Sequence, residues 1–275
     1  MKRKIKLLVK ILFIIAAFLI IFNKIDLNKL KNIHITNFFY LFLAFIFFNI
    51  SQIISAIRVD KFLNQIDITL NFKKQLMLYY VGMFYNTLLP GGIGGDAYKT
   101  YKFQKSYNKP YKKIIKALLI DRISGLFAIF TLIGVLILFS NFKSFITYLS
   151  FLMILAPFTL FFIHKYFFNE FKFYPFIYSL IVQIFQGISF LFILLSLGIN
   201  SHLIDFLILF YISSIVSVIP ISIGGVGLRE LTFLYGLSLI NLDPIIGVVA
   251  AFLFFIITLI SSLIGIIFIK GVKDV

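Results

Sequence analysis

Two short stretches of this 275-residue chain combine helix breakers, glycines and charge in a pattern suited to phosphate recognition. Pro90-Gly91-Gly92-Ile93-Gly94-Gly95 and Pro220-Ile221-Ser222-Ile223-Gly224-Gly225 share the pattern P-x-x-I-G-G at an offset of 130 residues. An acidic residue follows each, Asp96 in the first and Glu230 in the second, with Gly227 and Arg229 lying between. Proline ends an incoming helix, and glycine allows positive φ and close approach of a ligand to the backbone. Helix N-termini after such a turn favour anions, and successive N–H groups in a Gly-rich turn form an anion-binding nest. The alternative reading is a pair of glycine hinges packed closely against neighbouring helices.

The basic residues are 22 Lys and only 4 Arg, which makes each arginine informative. A guanidinium presents a planar fork of donors matched to phosphate or carboxylate, which an ammonium does not. Arg122 follows Asp121 at the mouth of an apolar segment, and Arg229 precedes Glu230 just after the second break. Charges at membrane depth are expected to pair or to line a wet cavity. Salt bridges that lock the structure and contacts to a ligand both remain open for these two neighbour pairs. Asn86, four residues before Pro90, and Lys99, three beyond Asp96, flank the first break. Gln183, Gln186, Ser213, Ser214 and Ser217 sit in apolar segments, where hydrogen bonds between helices are the expected role. Catalytic constellations are thin. His34, His164 and His202 fall in separate regions, cysteine is absent, and no Walker lysine follows Gly94-Gly95. No metal, cofactor or catalytic residue is expected.

The elements that must position these groups are apolar. The chain is 61% hydrophobic and 13% charged, with a mean hydropathy of +1.06. An ordinary soluble domain carries roughly 25% charged residues, so this is expected to be an integral membrane protein. Apolar stretches run Leu7–Phe22, Phe38–Ile57, Leu76–Leu89, Ala117–Phe139, Phe145–Ile163, Phe176–Leu197, Phe206–Ile219, Leu231–Ile240 and Ile245–Ile269. A helix needs about 20 apolar residues to cross the hydrocarbon core, so six of these are expected spans. Leu76–Leu89, Phe206–Ile219 and Leu231–Ile240 are too short and adjoin the two breaks. The run after Met1-Lys2-Arg3-Lys4 has no small-x-small cleavage site and reads as an uncleaved first span.

Charge predicts the topology. With a cytoplasmic N-terminus and re-entrant short segments, 20 of the 26 basic residues fall on the cytoplasmic side. Seven of them lie between Lys99 and Lys116, and a full span at Leu76–Leu89 would put that group outside, against the positive-inside rule. The first half then reads span, span, re-entrant element, span, and the second half repeats this order upside down. The expected architecture is an all-α polytopic membrane protein of six to eight transmembrane helices including two broken or re-entrant elements. It forms a single domain over residues 1–275, as an inverted repeat of about 1–140 and 141–275. Paired Gly/Pro-interrupted segments point to a transporter's binding site near the midplane. The expected site comprises Asn86, Pro90, Gly91, Gly92, Gly94, Gly95, Asp96, Lys99, Asp121, Arg122, Pro220, Gly224, Gly225, Gly227, Arg229 and Glu230. The Lys99–Lys116 loop, interleaved with tyrosines, reads as an interfacial segment on anionic lipid rather than a nucleic-acid surface.

Three ordered motifs carry a resemblance that covers nearly the whole chain: Asn86-Thr-Leu-Leu-Pro-Gly-Gly-Ile-Gly-Gly-Asp96, Asp121-Arg122, and Pro220-x-x-x-Gly-Gly-x-Gly-x-Arg-Glu230. Together they resemble the lysylphosphatidylglycerol synthase transmembrane region family, also called flippase-like or UPF0104 proteins. Arg58, ending the second span, is similar to an arginine that family places there. Lys99 stands where the family pattern has a basic residue soon after its Gly-Gly-Asp. The resemblance implies lipid flipping between leaflets. The soluble aminoacyltransferase domain of the best understood members is not expected within 275 residues, so lipid aminoacylation is not carried over. The expected activity is non-enzymatic translocation of a polar-headed, phosphate-containing lipid, anionic or zwitterionic, in a bacterial cytoplasmic membrane. The alternative is an accessory protein that binds a lipid-linked intermediate for a separate glycosyl- or aminoacyl-transferase.

Overall fold

A computed structural model of the chain describes residues 2–24, 33–88, 94–140, 144–168, 174–219, 222 and 224–272. Helices account for nearly all of them: α1 (Lys2–Lys24), α2 (Phe38–Asn64), α3 (Phe72–Leu88), α4 (Gly94–Tyr107), α5 (Tyr111–Ile137), α6 (Ser144–Leu155), α7 (Pro157–Phe168), α8 (Tyr174–Ser196), α9 (Leu203–Val216), α10 (Leu228–Leu239) and α11 (Pro244–Phe268). No strand occurs among the described residues.

Among the described residues four helices, α2, α5, α8 and α11, are long and apolar enough to cross a membrane. Their ends follow from local chemistry. Asn37 caps α2 by accepting the Phe39 N–H at 2.9 Å. Asp243 caps α11 through the Ile245 N–H at 3.0 Å, and Pro244 fills the first helical position, where its missing N–H costs nothing. α1, at 23 residues, contains the expected Leu7–Phe22 span. The expected span Phe145–Ile163 is divided into α6 and α7 at Ala156-Pro157. Pro157 has no N–H, and its ring excludes a continuous helix through the preceding turn.

The short segments form two antiparallel helix pairs. In α3 and α4, Tyr79 lies beside Lys99, Gly82 beside Gly95, and Asn86 beside Gly95, so residue numbers descend in one helix as they rise in the other. A Cβ added at Gly95 would collide with the Gly82 carbonyl, which is why the backbones approach only through glycine here. In α9 and α10, Leu209 lies beside Gly236, Ser214 beside Arg229 and Ser217 beside Gly225, the same antiparallel sense. α3 packs against α11, and α9 against α5. The Lys99–Lys116 stretch, expected as a loop, is helix on both sides of a short connection at residues 108–110.

Lipid tails are as apolar as leucine, so packing rather than exclusion from water holds such helices together. The main core supplies it with aromatics. Phe190 stacks on Phe210 at 4.6 Å and on Phe233 at 5.4 Å, and Phe254 meets Phe210 edge-on at 4.9 Å. These rings tie α8, α9, α10 and α11 together. A second cluster, including Val59, Leu78, Phe103 and Ile114, joins the end of α2 to α3, α4 and the start of α5. Large side chains such as Phe39, Phe42, Phe158 and Ile267 face outward, as a bilayer allows.

Candidate functional site

The two antiparallel pairs bring residues flanking their breaks to one place. A cavity of about 340 Å³ is walled by residues from α2, α3, α4, α5, α8 and α11, together with Gly224 and Arg229 beside the second break. Of the expected site residues it takes in Asn86, Asp96, Lys99, Asp121, Arg122, Gly224 and Arg229. Pro90, Gly91, Gly92 and Pro220 lie outside the described residues.

Charge on the walls is unbalanced. Four cations, Arg58, Lys99, Arg122 and Arg229, face two carboxylates, Asp96 and Asp121. The pairing crosses helices instead of joining sequence neighbours. Arg58 grips Asp121 in a two-pronged contact, Nε to Oδ1 at 2.7 Å and Nη2 to Oδ2 at 3.1 Å. Its Nη1 donates to the Ser179 hydroxyl at 3.2 Å, and that hydroxyl is 2.7 Å from Ser124 Oγ, so α2, α5 and α8 are tied at one point. Arg122 Nε donates to Asp96 Oδ2 at 2.5 Å. Successive residues on a helix point about 100° apart, which sends Asp121 to α2 and Arg122 to α4.

Lys99, one turn beyond Asp96, is buried with its Nζ 3.9 Å from Asp96 Oδ1 and 4.7 Å from the centre of the Tyr79 ring. Asp96 also sits in the first turn of α4, where the helix dipole favours a carboxylate. Asn86 holds that turn in place: its Oδ1 accepts the Gly95 N–H at 2.8 Å. It therefore caps α4 across the break as well as lining the cavity. Gly94 and Gly95 are the first residues of α4, Gly95 serving as the contact surface for Gly82.

Arg229 differs from the other two guanidiniums. Its Nη1 donates to Ser214 Oγ at 3.1 Å and its guanidinium carbon lies 5.4 Å from the centre of the Phe254 ring. Among the described residues no carboxylate lies within 4 Å of it. Its neighbour Glu230 turns the other way. Glu230 Oε2 accepts the Gly227 N–H at 2.7 Å, capping α10, while the side chain faces a separate apolar pocket beside Phe18, Ile21 and Phe252. Glu230 is fully buried and does not line the cation-rich cavity, a correction to its expected place there. Gly225 and Gly227 likewise shape the turn. Their φ values of +83° and +84° are open to glycine and strained for other residues, and a Cβ at Gly225 would lie 2.7 Å from Ser217 Cβ.

Of the uncharged polar residues, Ser214 bonds between helices as expected, accepting from Arg229. Ser213 and Ser217 donate to carbonyls of their own helical segment, at 2.7 and 2.8 Å, instead of bonding between helices. Gln186 lines the cavity; the Gln183 carbonyl accepts the Tyr211 hydroxyl at 2.9 Å. Sequence reasoning left Arg58 outside the site except by resemblance, and missed Gln52 and Tyr79 altogether. Tyr79 donates to Gln52 Oε1 at 3.2 Å on the cavity wall. Nothing in their spacing marks them, because each reaches the site from a different helix. No group of three or more His, Cys, Asp or Glu side chains suited to a metal occurs among the described residues.

Fold and cavity together define an all-helical polytopic membrane protein with a cation-rich internal site. The chain belongs to the lysylphosphatidylglycerol synthase TM region family, whose sequence profile matches residues 7–175 and 172–265. It is also 35% identical over 86 residues to a UPF0104 membrane protein of Pyrococcus horikoshii. That match covers 30% of this chain and 26% of the relative. No solved structure matches the chain.

Proposed function

We propose that the protein translocates a lipid with a phosphate-bearing headgroup between the leaflets of a bacterial cytoplasmic membrane, without chemical conversion of the lipid. The observation that carries this reading is Arg229, a guanidinium on the wall of a polar cavity, held by a serine and a ring and not by a carboxylate. A guanidinium fork matches phosphate oxygens, and a net positive cavity in a low-dielectric surround attracts an anion strongly. Paired broken elements meeting at one cavity suit alternating access, with two inverted halves rocking about a fixed site. In support of such halves, α3 packs on α11 as α9 packs on α5, the pairing that an exchange of equivalent elements requires. The family's name, which refers to a lipid-modifying synthase, agrees with a lipid as cargo.

Proteoliposomes test this directly. Wild-type protein should speed the loss of a fluorescent anionic phospholipid from one leaflet. Arg229→Gln and Arg122→Gln should slow that exchange by at least about tenfold, the loss of roughly one charge-assisted contact. Equal rates in wild type and both variants, or no acceleration by the wild type, would sink the proposal.

A further inference from the structure

The cation-rich cavity has a neighbour at α4 and α5. A second space, about 420 Å³, lies between these two helices and shares Asp96, Leu118 and Arg122 with the first. Its character is opposite. Along α5 its wall is the stripe Tyr111, Ile115, Leu118, Leu119 and Arg122, and Tyr101 faces it from α4. That stripe covers one face of α5 for about 16 Å at 1.5 Å per residue. Ile115 and Leu119 are 53% and 48% exposed, so the groove is open on the outer surface of the bundle. The Asp96–Arg122 ion pair stands at its inner end, with Asp96 and Arg122 side chains 22% and 38% exposed. The ion pair and Leu118 thus stand between a charged cavity and an apolar groove.

We propose that this groove holds the hydrocarbon tail of the same lipid whose phosphate-bearing headgroup occupies the cavity, and that the Asp96–Arg122 pair forms the lateral gate between them. The inference rests on the lipid-translocation reading above. Three features select a lipid tail as the occupant. The groove opens on the outer face of α5, a helix long and apolar enough to cross a membrane, its wall beyond the gate is mostly apolar, and it adjoins a cavity whose charge complements an anionic headgroup. A tail left in the groove stays in hydrocarbon while the headgroup moves, which avoids carrying an acyl chain past buried charges. Arg122 can exchange its carboxylate for a phosphate as the gate parts, since the fork suits either partner.

The chain contains no tryptophan, so a single one is a clean fluorescent reporter. Ile115→Trp and Leu119→Trp place it in the groove on exposed positions, and Phe158→Trp places it on outward surface elsewhere. Each full-length variant is reconstituted in phosphatidylcholine vesicles that contain a minor fraction of lipid brominated on its acyl chains, either phosphatidylglycerol or phosphatidylcholine. Both groove reporters should sense brominated phosphatidylglycerol at about tenfold above its bulk proportion, a preference of about 1.4 kcal/mol. The Phe158→Trp reporter should be quenched equally by both lipids. Adding Arg229→Gln should abolish the preference in the groove. Equal quenching by the two lipids at the groove overturns the proposal, and so does a preference that survives Arg229→Gln, because tail and headgroup would then belong to different molecules. Leaflet exchange measured on the same vesicles reports separately on transport: a groove preference without exchange keeps the tail site and removes the flippase reading.

Discussion

Arg58 and Asp121, 63 residues apart in the chain, form a two-pronged ion pair that is 7% exposed at each residue and wedges α2 against α5. The aspartate next to Arg122 in sequence is therefore committed to a different helix, which leaves Arg122 to meet Asp96.

Because that pair is buried, removal of one member leaves a charge without compensation. Arg58→Met alone and Asp121→Leu alone should each destabilise the fold by about 3–5 kcal/mol, and the double variant should recover most of the loss. Thermal unfolding of the four proteins in detergent measures this. A double variant no better than the worse single one would show that the pair is not the reason for the stability.

Arg229 predicts the opposite balance. Its hydrogen bond goes to a neutral hydroxyl and its fork lies beside a ring, with no ion pair within 4 Å among the described residues, so Arg229→Gln should leave the unfolding temperature nearly unchanged while lipid exchange falls. A large drop in unfolding temperature would assign the residue to structure instead.

Gly95 and Gly271 offer a steric contrast. Gly95→Ala drives a methyl into the Gly82 backbone carbonyl and should cost about 1–3 kcal/mol or more, since neither helix can yield locally. At Gly271 the nearest atom to an added Cβ is Met77 Sδ at 3.4 Å, a flexible neighbour, so Gly271→Ala should fall within about 0.5 kcal/mol of wild type. Unfolding temperatures that rank the two variants the other way would refute the close α3–α4 contact.

Asn86 is predicted to act first as a cap. Asn86→Ala should cost about 1 kcal/mol and raise hydrogen exchange at the start of α4, while Asn86→Asp, which keeps an acceptor oxygen, should restore protection. Unchanged exchange in Asn86→Ala would place its role wholly in the cavity.

The helical, membrane-spanning character, the two breaks and most of the charged site were legible in the sequence. These features are local: an apolar run of sufficient length has few alternatives in a bilayer, and a proline followed by clustered glycines ends a helix. Ala156-Pro157 is a local signal of the same kind, hidden inside an otherwise apolar run. The partners of the charges were not legible. Asp121-Arg122 and Arg229-Glu230 look like ready-made pairs, yet adjacent residues on a helix diverge by about 100° and each meets what its own face is packed against. Which helices pack together decided that Arg58 takes Asp121, that Asp96 takes Arg122, that Glu230 caps a helix away from the cavity, and that Arg229 faces the cavity with a serine as its hydrogen-bond partner. The sequence by itself determined which residue types lie at membrane depth; only the tertiary structure, through the rotation and contact of each helix, decided which of those charges are neutralised and which remain to meet a ligand.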